Sequence, residues 1–283
     1  MKKPIWKIAG TFLIIAVSAL YSDGRFKPFQ LDAGRKPFEM NAGLYRFVIS
    51  PGGALAAIEK KGRSPLRMSG KEAAAQIVLG NKICPLTEPL SASALKNGLR
   101  FAYELTTNPP LGVELTYRLD SNGKSVRLSR DISLTCAARI EADLTVRIPL
   151  SPLLLPDDAW LPRKNGLGAA FGKDKSAAYR FAGSLRSGGV SLAIPMATFE
   201  STDLGERATI VTDPYFSSLY SRDHLEWTYP KSVGLEKGEE SRSVSFVFHP
   251  GTPDDALAAF FDTALNDVPP GPDWLHDIAM VDY

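Results

Sequence analysis

The sequence predicts an all-β protein, a large antiparallel β-sandwich with one C-terminal helix. Three observations predict it. Apolar residues alternate over long runs between Leu99 and Leu150, turn residues recur between short apolar segments, and helical spacing is confined to one stretch near the C-terminus. Successive side chains of a strand point to opposite faces, so a period of two means one buried face and one wet face. Two sheets facing one another would bury these stripes.

The elements follow in order. Lys2, Lys3 and Lys7 precede an uncharged apolar run from Ile8 to about Tyr21, which Asp23 closes. That run suits the core of a secretory signal and is short for a membrane span, which needs ~20 apolar residues. Val17-Ser18-Ala19 and Ser22 offer small residues for cleavage, so residues 1–22 read as a signal peptide. An uncleaved N-terminal anchor is the alternative, and it is the only membrane contact expected. No cysteine follows closely enough for lipoprotein attachment. Either way the remaining chain is expected outside the cytoplasm, periplasmic or extracellular.

Residues 23–42 are polar, contain Pro28, Gly34 and Pro37, and read as a leader into a sandwich domain over 43–266. Leu44–Ile49 is the first strand, Ser50-Pro51-Gly52-Gly53 the turn, and Ala54–Ile58 the return. Leu99, Phe101, Tyr103 and Leu105 alternate with polar neighbours, as do Val113, Leu115, Tyr117 and Leu119. Asn122-Gly123 supplies the backbone freedom of a tight hairpin. The alternation resumes at Val126, Leu128, Ile132 and Leu134, then from Ile140 to Leu150. Ser151–Gly189, broken by prolines and glycines, reads as long loops. Strands return at Val190–Ile194, Ala208–Thr212, Leu225–Tyr229 and Ser243–Phe248.

The one helix has Thr252 as N-cap, Pro253 at its first position, and Asp254 and Asp255 at the positive end of its dipole. Ala256, Leu257, Phe260, Phe261 and Leu265 form its apolar stripe, and Asn266 ends it. Residues 267–283 read as a Pro/Gly linker and the start of a following domain. There Trp274, His276 and Asp277 are candidate interface residues.

Composition narrows the chemistry. Net charge is +2 from 33 basic and 31 acidic residues, with no basic block of the kind that nucleic-acid binding needs. Three scattered histidines make no metal-ligand cluster, and no motif calls for a cofactor. Cys84 and Cys136 are the only cysteines; in an exported chain they could form a disulfide or stay as two free thiols. The adjacent acids Asp157-Asp158 and Glu239-Glu240 would point apart in extended chain, and Asp254-Asp255 is explained by capping. No Gly-x-Ser-x-Gly elbow occurs, and the glycine-rich 166–172 stretch lacks the Lys-Ser/Thr ending of a phosphate loop. No catalytic residue is therefore assigned.

Aromatic residues mixed with charge are more suggestive. Sugars offer CH faces to rings and hydroxyls to charged groups. Trp160, Tyr215, Phe216, Arg222, His224 and Trp227 are the candidate ligand-binding residues. The alternative is that these rings cover the sheet ends or pack on a neighbouring domain.

The order of these features resembles the galactose-mutarotase-like β-supersandwich that stands before the catalytic barrel in many bacterial glycoside hydrolases. The resemblance covers roughly residues 40–265. It rests on the Tyr45–Ile58 hairpin, the long alternating strands ending in Arg147-Ile148-Pro149-Leu150, and Val244–His249 leading into the Gly251–Leu265 helix. Val268–Leu275 followed by Ile278–Asp282 is similar to a linker entering a first barrel strand. The resemblance implies a sandwich that packs on a downstream catalytic domain holding the catalytic carboxylates. A mutarotase works with a His and a Glu in a sugar cleft, and neither His224 nor His249 lies in a matching motif.

The first expectation is a non-catalytic, carbohydrate-associated N-terminal module of an exported glycoside hydrolase-like protein. A stand-alone epimerase or lyase is the second, and it requires His and carboxylate side chains converging on a sheet face. An exported structural or adhesion sandwich is the third.

Overall fold

The computed structural model of the protein describes residues 36–68, 72–162, 178–181, 192, 194–214, 216–229 and 235–264. Strands β1 (Phe38–Ala42), β2 (Tyr45–Ile49), β3 (Leu55–Lys60) and β4 (Leu66–Arg67) form a four-stranded sheet in chain order. Next along the chain come β5 (Gln76–Leu79), β6 (Lys82–Pro85), β7 (Ser91–Leu95), β8 (Gly98–Leu105), β9 (Leu111–Ser121) and β10 (Val126–Cys136). They are followed by β11 (Leu144–Pro149), β12 (Tyr179–Phe181), β13 (Met196–Ser201), β14 (Glu206–Thr212), β15 (Ser218–Tyr220), β16 (His224–Tyr229) and β17 (Gly238–His249). A seven-stranded sheet has the order β13-β14-β17-β10-β9-β8-β7, and a six-stranded sheet the order β12-β15-β16-β11-β5-β6. Neighbouring strands within these sheets are antiparallel throughout.

The fold is the expected all-β sandwich with a C-terminal helix, but the described residues form three sheets rather than two. The seven-stranded sheet forms one layer, and the other two sheets both lie against its inner face. Phe38 packs edge-on against Phe101, and the Tyr45 and Phe47 rings pack on Phe248, which joins the four-stranded sheet to that face. From the six-stranded sheet, the Tyr220 hydroxyl lies 2.9 Å from Thr212 Oγ1 in β14. Arg130 in β10 reaches back to the Pro149 carbonyl at 3.4 Å. One apolar core runs between these layers.

The alternating stripes carry that core. Val126, Leu128, Ile132 and Leu134 point inward from β10 beside Leu115, Tyr117 and Leu119 of β9. Arg130 occupies the same inward stripe and is fully buried, between the rings of Tyr117 and Phe246 at 5.1 and 5.7 Å. Attraction between guanidinium and ring faces, together with the long aliphatic stem, lets a charged residue stand in an apolar row. At the β9–β10 hairpin, Asn122 Oδ1 accepts from the backbone N–H groups of Lys124 and Ser125 at 3.0 and 2.8 Å. Gly123 there has φ +81, as a tight turn requires.

Helix α1 (Pro253–Ala264) begins where expected. Asp255 Oδ2 accepts from both the backbone N–H and the hydroxyl of Thr252, at 2.7 and 2.9 Å, the reciprocal half of a capping box. Ala256 and Phe260 bury against Met196 and Val211 in a small second core on the outer face of the seven-stranded sheet.

Other expectations shift. The sandwich starts before residue 43, because Phe38–Ala42 is β1, paired with β2; five alternating residues ahead of a glycine turn are too few to stand out. Ile140 belongs to no strand and makes an isolated bridge to Leu235, so β11 begins at Leu144. Cys84 and Cys136 are free thiols. The signal segment, most of Ser151–Gly189 and of Val190–Ile194, the helix end at Asn266 and the 267–283 segment lie outside the described residues.

Candidate functional site

The strands β11 and β16 pair with Arg147 opposite Glu226 and Pro149 opposite His224. Leu144, Val146 and Ile148 and, on β16, Leu225, Trp227 and Tyr229 are buried in the core. Alternation therefore puts Arg147, His224 and Glu226 together on the outer face of the six-stranded sheet. Arg147 Nε and Nη2 both donate to Glu226 Oε2 at 3.1 Å. His224 Nε2 lies 3.5 Å from the same oxygen, and Nδ1 lies 2.7 Å from Asp223 Oδ1. The Arg147, His224 and Glu226 side chains keep 35%, 21% and 17% of their surface open, so a ligand can reach all three. One row along, Thr145 Oγ1 and Thr228 Oγ1 meet at 2.9 Å.

The cluster settles its own charges. Interaction with Glu226, then with Asp223, raises the His224 pKa against partial burial. Glu226 is held below the usual carboxylate range by His224 and then by Arg147, again against burial. A general base works best with a pKa near the working pH. A carboxylate that already faces a guanidinium and an imidazole is a weak one. The arrangement offers guanidinium and imidazole donors beside a carboxylate acceptor, which is the chemistry of a polar binding surface. Among the described residues, the aromatic side chains of β12, β15 and β16 face inward, so this surface has no ring for a sugar face to stack on.

The candidate residues from the sequence divide among three places. His224 and Arg222 lie at the start of β16, where Arg222 pairs with Asp157. Phe216 and Trp227 line a recess with Thr212, Asp213, Arg242 and Ser243. There the Arg242 guanidinium carbon sits 3.2 Å from the centre of the Phe216 ring and 5.2 Å from that of Tyr229, while Glu240 pairs with it at 2.9 Å. The recess holds about 10 Å³, which is room for one water and too little for a sugar ring. Trp160 exchanges backbone hydrogen bonds with Thr198 at 2.7 and 2.9 Å and packs beside helix α1. Tyr215, Trp274, His276 and Asp277 lie outside the described residues. Among the described residues no group of three or more His, Cys, Asp or Glu side chains could hold a metal ion, and no helix is long and apolar enough to cross a membrane.

Sequence reasoning missed Arg147 and Glu226. The available signal was His224-Leu225-Glu226-Trp227, in which a histidine and a glutamate two apart must share a strand face.

No family model matches the sequence, and no curated protein matches it. Among solved structures the chain is similar to a galactose mutarotase-like protein from Lactobacillus casei, at 13% identity and a TM-score of 0.44, over 76% of this chain and 100% of that one. It is also similar to a galactose mutarotase related enzyme from Lactobacillus acidophilus, at 9% identity and a TM-score of 0.46, over 77% and 98%. A third is the 4-alpha-glucanotransferase from Thermococcus litoralis, at 12% identity and a TM-score of 0.45, where 75% of this chain matches 37% of that one. The first two carry the name of the group that the sequence resembles. At these identities and scores the likeness brings no residue role, activity or ligand to this chain.

Proposed function

We propose that this chain is an exported, non-catalytic, carbohydrate-associated module, and that the outer face of its six-stranded sheet takes sugar hydroxyls. The observation that carries the reading is the convergence of Arg147, His224 and Glu226 into one partly open cluster. Donors and an acceptor fixed side by side on a rigid sheet suit a polyol, whose hydroxyls both accept and donate. The Lys2–Tyr21 segment supports export, and the resemblance to sandwiches that precede catalytic barrels supports a downstream catalytic domain as partner. Isothermal titration of the chain against a panel of neutral and acidic oligosaccharides tests the reading. Heat of binding is expected, and Arg147→Ala and Glu226→Gln should each weaken it at least about tenfold, the effect of losing a charged hydrogen bond of ~1.5–3 kcal/mol. Silence across the whole panel, or variants that bind as the parent does, would remove it.

A second reading, a mutarotase-like epimerase, draws on one fact: a histidine and a glutamate meet on the same sheet face, 3.5 Å apart. Its experiment is polarimetry of aldose anomerisation. Acceleration that disappears in both His224→Gln and Glu226→Gln would favour it, whereas an unaccelerated rate leaves the binding module standing.

A further inference from the structure

We propose that His249 is an acid-sensitive catch, and that a proton gained there loosens helix α1 from the seven-stranded sheet. His249 ends β17, two residues before Gly251 and the Thr252 cap of α1. It is 5% exposed. Its Nε2 lies 3.0 Å from Thr209 Oγ1, and Thr209 Oγ1 lies 2.9 Å from Thr198 Oγ1, which donates to the Ala208 carbonyl at 3.3 Å. The donors order themselves along that row. With the Thr198 proton committed to Ala208, Thr209 donates to Thr198, and His249 donates to Thr209 through Nε2–H. Nδ1 is then a bare lone pair, and that atom is buried with no hydrogen-bond partner.

A bare buried acceptor is tolerable, but a buried N–H or a cation without a partner is costly. Protonation turns Nδ1 into both. The groups facing the ring do not repair this. Arg207 stands opposite His249 in register and donates through Nε to the Gly251 carbonyl at 3.1 Å, which brings a second positive charge to the same corner. The positive end of the α1 dipole adds to it. Glu206 and Asp255 oppose, but Glu206 is engaged by Tyr45 and Lys60, and Asp255 is occupied with the Thr252 cap. Burial and then Arg207 hold the imidazole below the usual histidine range.

Helix α1 is the element free to respond. Its attachment rests on Ala256 and Phe260 against Met196 and Val211, separate from the main core. The strands around His249 are locked into a seven-stranded sheet. Relief therefore comes from movement of the helix, which lets water or a carboxylate reach Nδ1.

Hydrogen exchange of the full chain at about pH 7.5 and about pH 5, corrected for the intrinsic effect of pH on exchange, tests the catch. Protection of the 253–264 amides should fall severalfold at the lower pH, while β9 and β10 stay protected. In His249→Gln, which can still bond Thr209 but cannot gain a proton, the acid loss should vanish. Unchanged α1 protection in the parent, or equal loss in the Gln variant, overturns the proposal. Should that variant fail to fold, an NMR titration of the unaltered His249 ring decides. A midpoint below the ordinary ~6.5, in step with the α1 signals, supports the catch, and a midpoint at or above it overturns it.

Discussion

The Tyr117 hydroxyl donates to the Gly53 carbonyl at 2.8 Å, pinning the β2–β3 turn to the seven-stranded sheet across 64 residues. Tyr103 does the same for Gly52, also at 2.8 Å. Tyr117 is fully buried, and burial pushes its hydroxyl pKa up, so it stays a donor at any physiological pH.

Tyr117→Phe should lower stability by about 1–3 kcal/mol, because a buried carbonyl loses its partner. Gly53→Ala should cost more. Gly53 has φ +83, and a methyl group there would collide with the Tyr103 hydroxyl and press on the Phe101 ring. Urea unfolding of the two variants tests this ordering, and a Gly53→Ala chain as stable as the parent would contradict the account of the turn.

Glu206 is held by the Tyr45 hydroxyl and by Lys60, with side-chain exposures of 16% for Glu206 and 11% for Lys60. These contacts join the four-stranded sheet to β14. Removing one partner from a buried pair costs ~3–5 kcal/mol, so Glu206→Ala should fall toward the lower end of that range. Arg127→Ala, which breaks the more exposed pair with Asp120, should cost no more than ~1 kcal/mol. Chemical denaturation of both variants measures the difference.

The two described histidines should act in opposite directions on stability against pH. The folded pKa of His224 is raised above its ordinary 6.5. Its contribution is therefore complete below about pH 6.5 and is lost as pH rises through the folded value. The folded pKa of His249 is lowered, so its contribution is present above about pH 6.5 and is lost as pH falls through the folded value. His224→Gln should accordingly flatten the alkaline side of a stability profile, and His249→Gln the acid side. Thermal melts from about pH 5 to about pH 9 would show it.

The thiols should differ in reactivity. Cys136 is 3% exposed, donates to the Glu236 carbonyl at 3.0 Å, and has its pKa raised chiefly by burial. Cys84, half-buried on the edge strand β6, should be modified first by a thiol reagent, and Cys136 only as the chain unfolds. Mass spectrometry of a timed alkylation would separate the two.

Much of the fold was legible because its signals are local. The β9–β10 hairpin was readable from the alternating stripes and Asn122-Gly123, and the start of α1 from Thr252, Pro253 and Asp255. β1, β5, β6, β7 and β13 were not: β1, β6, β7 and β13 carry at most two large apolar residues each to mark a face, and β5 is only four residues long. The candidate site was half legible. His224 could be named from its loop-like, charged surroundings. Arg147 could not, because it lies 79 residues from Glu226 and meets it only through the β11–β16 register.

What the sequence determined by itself is the class of structure: period-two stripes that demand sheets, one capped amphipathic helix, and an apolar N-terminal run preceded by lysines. The tertiary structure alone decided that three sheets share the core, that Arg130 stands inside it, that Arg242 fills the space between Phe216 and Tyr229, and that Arg147, His224 and Glu226 converge. The physical reason is that a strand's pattern says which side chains face inward but not which strand will lie beside it. That choice is made by packing of the whole chain, over separations at which no local preference acts.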